Sequence, residues 1–217
     1  MKQFLFSFLF LGLTFCVNAQ VKYTIFGGAN LNNALFKTTS YGPTEKTSAT
    51  YGYHVGIGRK FYIEDNVIFS TGAIGMLKGY QVNRGRVDTA TINTQYYSVE
   101  VPFLLQLNLG KKDTKPYFAF GPSLGFNLSG KDKVTKANGV ATTTNMVFSF
   151  SDYARYEGSL NAIFGVQTKW GLFIEAKWMH GLGTIWNVDD SWVIKPRVAS
   201  LTLGYTFGKT KKLAFDK

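Results

Sequence analysis

The stretch that most limits what this chain can become is YSVEVPFLLQLNLGKKDTKPYFAFGPSLGFNLSG, residues 97–130. Two runs of alternating apolar and polar residues flank a short charged connection, residues 110–115, and period-two alternation on either side of a turn predicts a β-hairpin. In the first arm Tyr97, Val99, Val101, Phe103, Leu105, Leu107 and Leu109 share one face, while Ser98, Glu100, Gln106 and Asn108 share the other. In the second arm Phe118, Phe120, Leu124, Phe126 and Leu128 oppose Tyr117, Ala119, Gly121, Ser123, Gly125 and Asn127. Faces this long and this apolar need either lipid or a large core to cover them.

The chain opens with MKQFLFSFLFLGLTFCVNAQ. A lysine, an apolar run from Phe4 to Val17 and small residues before a cut after Ala19 form the pattern of a secretory signal peptide, and the run is too short for a membrane helix. Residues 1–19 are therefore expected to be removed. Cys16, the only cysteine, leaves with them, and the bulky Phe15 before it is wrong for a lipid-anchored cysteine. The mature chain then has no thiol for a disulfide, for catalysis or for a metal. The formal net charge is +11, with Lys2 the one charged residue in the leader. The lysines gather in connections (Lys111, Lys112, Lys115, Lys131, Lys133, Lys136) and in the tail, residues 209–217. An exported chain without a basic helix or a basic-aromatic motif makes a poor nucleic-acid binder. Solvated rims and contact with acidic lipid headgroups are the readings that remain.

Past Gln20 no apolar run reaches eighteen residues, so no membrane helix is encoded, and a form that crosses a bilayer has to be a closed barrel. Strands are predicted at about 22–33, 50–61, 67–81, 94–109, 115–129, 157–169, 171–183 and 198–208, an even number of about eight. Long polar segments at about 34–49, 82–93, 130–156 and 184–197 alternate with short ones at residues 64–66, 110–115 and 169–171. Transmembrane barrels alternate tight periplasmic turns with longer external loops in this way. The expected fold is all-β, an eight-stranded antiparallel up-and-down transmembrane β-barrel spanning residues 20–208, with both termini and the tail 209–217 in the periplasm. Asn138 and Gly139 fall in the largest external loop, whose Thr, Asn, Lys and Gly content predicts mobility.

A lysine facing lipid at the midplane costs about 2–4 kcal/mol, so the polar faces belong inside. That assigns Glu100, Gln106, Asn127, Glu157, Glu175 and Lys177 to the lumen, together with His54, which shares a face with Gly56, Gly58 and Lys60. Eight strands enclose a space that side chains just fill, so these residues are expected to plug the interior as a polar network; an ion path is the alternative. Tyr51, Tyr53, Tyr97, Trp170, Trp178 and Tyr205 are expected at the interfacial girdles. The third strand, with Ile68, Ser70, Ile74 and Met76 against Phe69, Ala73 and Leu77, does not resolve into two faces. Pro102 and Pro122 sit inside strands where a closed barrel has no free edge, which predicts a bulge or irregular pairing at each.

The elements VPFLLQ, KPYFAFGPSLGF and SLTLGYTF, with the opening strand near residues 25–31 and the late strand FIEAKW, resemble the PorT-like outer-membrane β-barrel family of Bacteroidetes-type bacteria. The resemblance spans essentially the whole mature chain. It implies an eight-stranded barrel in the outer membrane and no particular activity. Many outer-membrane barrels end on an aromatic residue read by the insertion machinery; here Phe207 is followed by GKTKKLAFDK, and Phe207 is the expected internal counterpart.

No metal-ligand spacing, phosphate loop or nucleophile elbow is present, so no cofactor is expected. The sharpest catalytic grouping is His180 with Asp189 or Asp190 and Ser191 at the external rim, but His180 is in phase with the outward residues of its strand and reads as an interfacial polar group. The expected function is therefore a non-enzymatic outer-membrane barrel that acts in a structural or binding role through its external loops. Its expected partners are outer-membrane lipid, the barrel-insertion machinery, and a surface polymer or an envelope protein. The alternatives are a narrow porin and a soluble periplasmic barrel that turns its apolar faces inward around an apolar ligand.

Overall fold

The computed structural model describes residues 20–38, 46–64, 66–82, 91–110, 113–188 and 192–208. The expected signal peptide with Cys16, the tail 209–217 and the grouping partners Asp189, Asp190 and Ser191 lie outside these residues. So do Lys111, Lys112 and parts of the connections after residues 38 and 82.

Ten strands follow in order: β1 (Gln20–Thr38), β2 (Thr47–Ser48), β3 (Thr50–Tyr62), β4 (Val67–Val82), β5 (Thr91–Asn108), β6 (Thr114–Thr135), β7 (Ala141–Asn145), β8 (Tyr156–Thr168), β9 (Leu172–Gly181) and β10 (Trp192–Phe207). Eight of them form the wall. Each pairs antiparallel with the next, in the order β1, β3, β4, β5, β6, β8, β9, β10, and β10 returns to pair with β1. The sheet is thus closed, which removes every edge that an open sheet would leave unpaired. The small strands lie at the loop end, β2 on β4 and β7 on β6.

Alternation sets the two faces. Ile57, Leu124 and Leu201 stand on the outside, 64%, 63% and 59% exposed, while Tyr117 and Ser159 on the inside are 0% exposed. A soluble barrel that holds an apolar ligand needs those apolar faces to line its interior. They lie outside instead, which overturns that alternative. On β4 the inward row is Ile68, Ile74, Met76, Lys78, Tyr80 and Val82. This strand is apolar on both faces over its first half, and polarity therefore could not separate them.

Tight turns close one end of the barrel. Backbone bonds between Ile63 or Glu64 and Val67 close the first, and Leu109 N–H donates to the Pro116 carbonyl across the second. In the third, Gly171 takes the positive φ of 96° that the short reversal after Lys169 and Trp170 requires. The exposed aromatics divide between the two ends: Tyr51, Tyr53, Tyr97 and Trp178 lie in the loop half, Trp170 and Tyr205 at the turn end. Phe207 stacks on Tyr23 across the closing seam, with ring centroids 6.0 Å apart.

The prolines are accommodated by gaps in pairing. Pro102 pairs with Ser123 on β6, but the β4–β5 ladder skips from the Thr71–Phe103 pair to Ile74–Glu100. Pro122 pairs with Leu160 in an unbroken ladder to β8, whereas the β5–β6 ladder skips between Pro102–Ser123 and Leu105–Phe120. Each proline keeps one regular neighbour and faces a gap on the other side, as its missing N–H demands. The register shift lies elsewhere, between Tyr97 and Ser98. Gly121 enters the second gap, where a Cβ would overlap the Phe103 carbonyl oxygen.

The long connections are more structured than their composition predicts. β1 and β6 run on past the expected strand ends, β10 starts earlier, and residues 130–156 contain the β6–β7 hairpin, turned at residues 136–139. The segment expected to be mobile is thus a hairpin followed by a folded crossing of the barrel mouth.

Candidate functional site

Polar groups converge inside the barrel. At its centre, toward the loop end, Lys78 of β4 reaches Glu100 Oε1 at 2.5 Å and Glu157 Oε2 at 3.1 Å. Lys78 is 1% exposed, and ions so enclosed persist only when paired and hydrogen-bonded. The Ser98 hydroxyl donates to Glu100, and the Ser159 hydroxyl to Glu157. Gly125, directly across from Glu100 in the register, leaves the space that this carboxylate occupies. The Gly-Pro-Ser-Leu-Gly run in β6 thus supplies the ladder gap at one end and the room for Glu100 at the other.

Beside this ion group, His54 bridges β1 and β10, with Nδ1 2.7 Å from Asn30 Oδ1 and Nε2 3.0 Å from Thr202 Oγ1. Asn30 donates from Nδ2 to the Tyr53 carbonyl, so its Oδ1 is the acceptor for the His54 Nδ1–H. The interior imidazole is therefore held by both ring nitrogens, between β1 and β10.

Toward the turn end, the Tyr117 hydroxyl donates to Glu175 Oε1 at 2.5 Å. Lys60 donates to Gln167 and stands over the rings of Tyr117 and Phe173, 5.2 Å and 5.0 Å from their centroids. Gln106 donates to Asn108, and Asn161 to Ser123. A cavity of about 60 Å³ lies among Lys60, Gln106, Asn161, Glu175 and Lys177, room for only a few water-sized molecules.

His54, Glu100, Gln106, Asn127, Glu157, Glu175 and Lys177 all turn inward, but they do not form one network. Glu100 and Glu157 meet through Lys78. Glu175 belongs to the lower group with Tyr117. Lys177 lines the cavity between the two groups. Asn127 sits higher, where its Nδ2 donates to the Ala154 carbonyl. Three lysines, Lys60, Lys78 and Lys177, thus share the interior with three glutamates.

Two features escaped the sequence reading. Lys78 is the hub of the central group, and the signal for it was its phase: it shares a row with Ile74 and Met76, and a lysine cannot face acyl chains, so that row had to be the inner one. The second is an apolar cap at the loop end. Inward side chains of four wall strands, among them Phe36, Tyr80, Tyr96 and Ile194, pack with Met146, Phe148, Ala154 and Ile185 from the connections. Hydrogen bonds hold the cap segment in place. Arg155 donates twice to the Phe148 carbonyl, Ala154 N–H donates to Ile185, and the Tyr153 hydroxyl donates to Asp132, which also accepts from Thr94. Tyr153 meets Trp186 edge-on at 5.3 Å. The cap lies across the mouth above Lys78 and its partners.

His180 occupies the outward row of β9, paired with Arg197, apart from this interior. Among the described residues no group of three or more His, Cys, Asp or Glu is placed to hold a metal.

Among solved structures, the chain is similar to Ail, the attachment invasion locus protein of Yersinia pestis, at 16% identity over 87% of this chain and 99% of that one, with a TM-score of 0.39. It is also similar to the outer membrane protein OprG from Pseudomonas aeruginosa, at 11% identity over 88% and 98% of the two chains and a TM-score of 0.49. A third similarity is to Neisserial surface protein A, at 11% identity over 85% and 97%, with a TM-score of 0.43. No curated protein matches it. A family model described as outer membrane protein beta-barrel domain matches residues 18–187, most of the chain. With its closed wall of eight strands and its outward apolar faces, this chain belongs to the outer membrane protein beta-barrel domain family and is a protein of the outer membrane.

Proposed function

We propose that this is a closed, non-enzymatic barrel of the PorT-like branch of its family, exported by a cleaved signal peptide. In this reading it presents its loop end outside the cell to envelope lipid, a surface polymer or another envelope protein. The observation that carries the reading is the apolar cap: Phe148, Met146 and Ile185 lie across the mouth, above an interior in which Lys78 is already neutralised by Glu100 and Glu157. An ion entering from the loop end would have to cross that apolar layer without water, at a cost of several kcal/mol or more. The motifs VPFLLQ and KPYFAFGPSLGF support the PorT-like assignment: Pro102 and Gln106 of the first and Gly121, Ser123 and Gly125 of the second stand on the inner rows described above.

A narrow porin is the second reading, favoured by the cavity between Lys60, Glu175 and Lys177. Planar-bilayer recording separates the two. The protein reconstituted alone is expected to give no steady conductance. A stable open level whose ion selectivity changes in Lys177→Met would establish the porin instead.

A further inference from the structure

The outward rows of β9, β10 and β1 change character at one level. The register pairs Trp178 with Ala199 and Ala199 with Leu31; one step toward the loop end it pairs His180 with Arg197 and Arg197 with Asn33. Below that boundary the outward residues of β1 and β10 are small or apolar down to Tyr23 and Phe207, residues 23–31 and 199–207. Each run is about nine residues, the length a tilted strand needs to cross the hydrocarbon layer. Arg197 and His180 therefore stand at headgroup depth. Lys195 follows Arg197 on the same face, and Lys37 lies beside it on β1, one pairing step further.

Among the described residues these cations have no acidic partner. Among the described residues the ion pairs are those of Lys78 with Glu100 and Glu157, and of Lys169 with Asp113. The Nε of Arg197 is enclosed and has no hydrogen-bond partner. The guanidinium charge therefore lacks a carboxylate among the described residues, and an anion at the wall would supply the missing counter-charge. Trp178, 49% exposed, lies directly beneath on the apolar side.

We infer that Arg197, Lys195, His180 and Lys37 form a binding site for the phosphate group of a lipid in the leaflet at the loop end, with Trp178 against its acyl chain. The guanidinium fork and adjacent lysine favour a phosphate monoester, whose two charges they match, over a zwitterionic headgroup whose own cation they repel. The inference rests on the chain being a lipid-embedded barrel and names one of the ligands that its loop end takes.

Native mass spectrometry of the full chain folded in detergent tests it, with phosphatidic acid and phosphatidylcholine as probes. Phosphatidic acid adducts are expected at about tenfold lower lipid concentration than phosphatidylcholine adducts. The double variant Arg197→Ala/Lys195→Ala should lose that preference, while Lys131→Ala/Lys133→Ala, on another part of the rim, should keep it. Heat-modifiable gel mobility verifies folding in each case, and Arg197→Gln and Lys195→Gln singly replace the double variant if it does not fold. A preference unchanged by these substitutions would overturn the site. So would inorganic phosphate that displaces the lipid at equal concentration, which would make this a site for free anions. A chain recovered in the aqueous phase without detergent would instead sink the barrel reading itself.

Discussion

Lys78 is the residue on which the interior depends. It is the shared partner of two carboxylates that would otherwise repel each other in a space closed to water. Removing one member of a buried ion group leaves uncompensated charge and costs about 3–5 kcal/mol, whereas an uncharged replacement of the whole group is often tolerated. Lys78→Met is therefore expected to destabilise the barrel by about that amount in urea unfolding from lipid vesicles. The triple variant Lys78→Met/Glu100→Gln/Glu157→Gln should recover most of the loss. If the triple variant is no more stable than Lys78→Met, the cost lies in packing rather than in unpaired charge. Lys78 also marks where polarity alone could not be read. Glu100, Glu175 and Lys177 stood out because their strands alternate cleanly, while Lys78 shares an inner row with Ile68, Ile74 and Met76, opposite an outer row that is also apolar.

At the scale of elements, the outer wall was legible and the cap was not, for one physical reason. A wall strand repeats its environment every second residue, so VEVPFLLQLN or SLTLGYTF carries its orientation in its spelling. The cap has no period. Met146, Phe148, Ala154 and Ile185 stand in short apolar pieces, such as Met146 to Phe148 and Ile185 with Trp186, set among Thr, Ser, Asn and Gly, and their burial depends on the barrel that brings them together. The same holds for the β6–β7 hairpin, whose β7 residues are all exposed and, after Ala141, polar. Tyr153 provides a handle on the cap. Burial first, then the nearby Tyr80 and the Asp132 carboxylate, push its phenol well above its ordinary value of about 10. Because the pKa is raised in the folded cap, its contribution is complete below about pH 10 and is lost as pH rises beyond that. Trp186 fluorescence, in a variant whose other tryptophans are phenylalanine, should report cap opening above about pH 10. Tyr153→Phe should weaken that dependence, and an unchanged profile would move the titration to another group.

For the whole molecule, closure and filling are one arrangement. The circle of eight strands encloses a space of the size that side chains can fill, and the inner rows place in it three lysines, three glutamates and His54, held at both ring nitrogens. Outside, Arg197 and His180 mark the level where the apolar wall ends. A chain that lacks residues 192–217, and with them β10, loses both the β1–β10 and the β9–β10 ladders. It is expected to give no compact, heat-resistant band on a gel, while a chain that lacks only residues 209–217 should still give one. A compact band from the first truncation would mean that β1 and β9 can close the circle without β10.

The seam between Tyr23 and Phe207 also sets the order of assembly. The two strands that must meet are the first and the last of the wall, so β1 keeps one side unpaired until β10 reaches it. During that interval the chain is an adhesive ribbon with two open sides, prone to pair with other copies of itself. Insertion of this barrel is thus a race between ring closure and self-association, and its outcome is decided when the final sixteen-residue strand arrives.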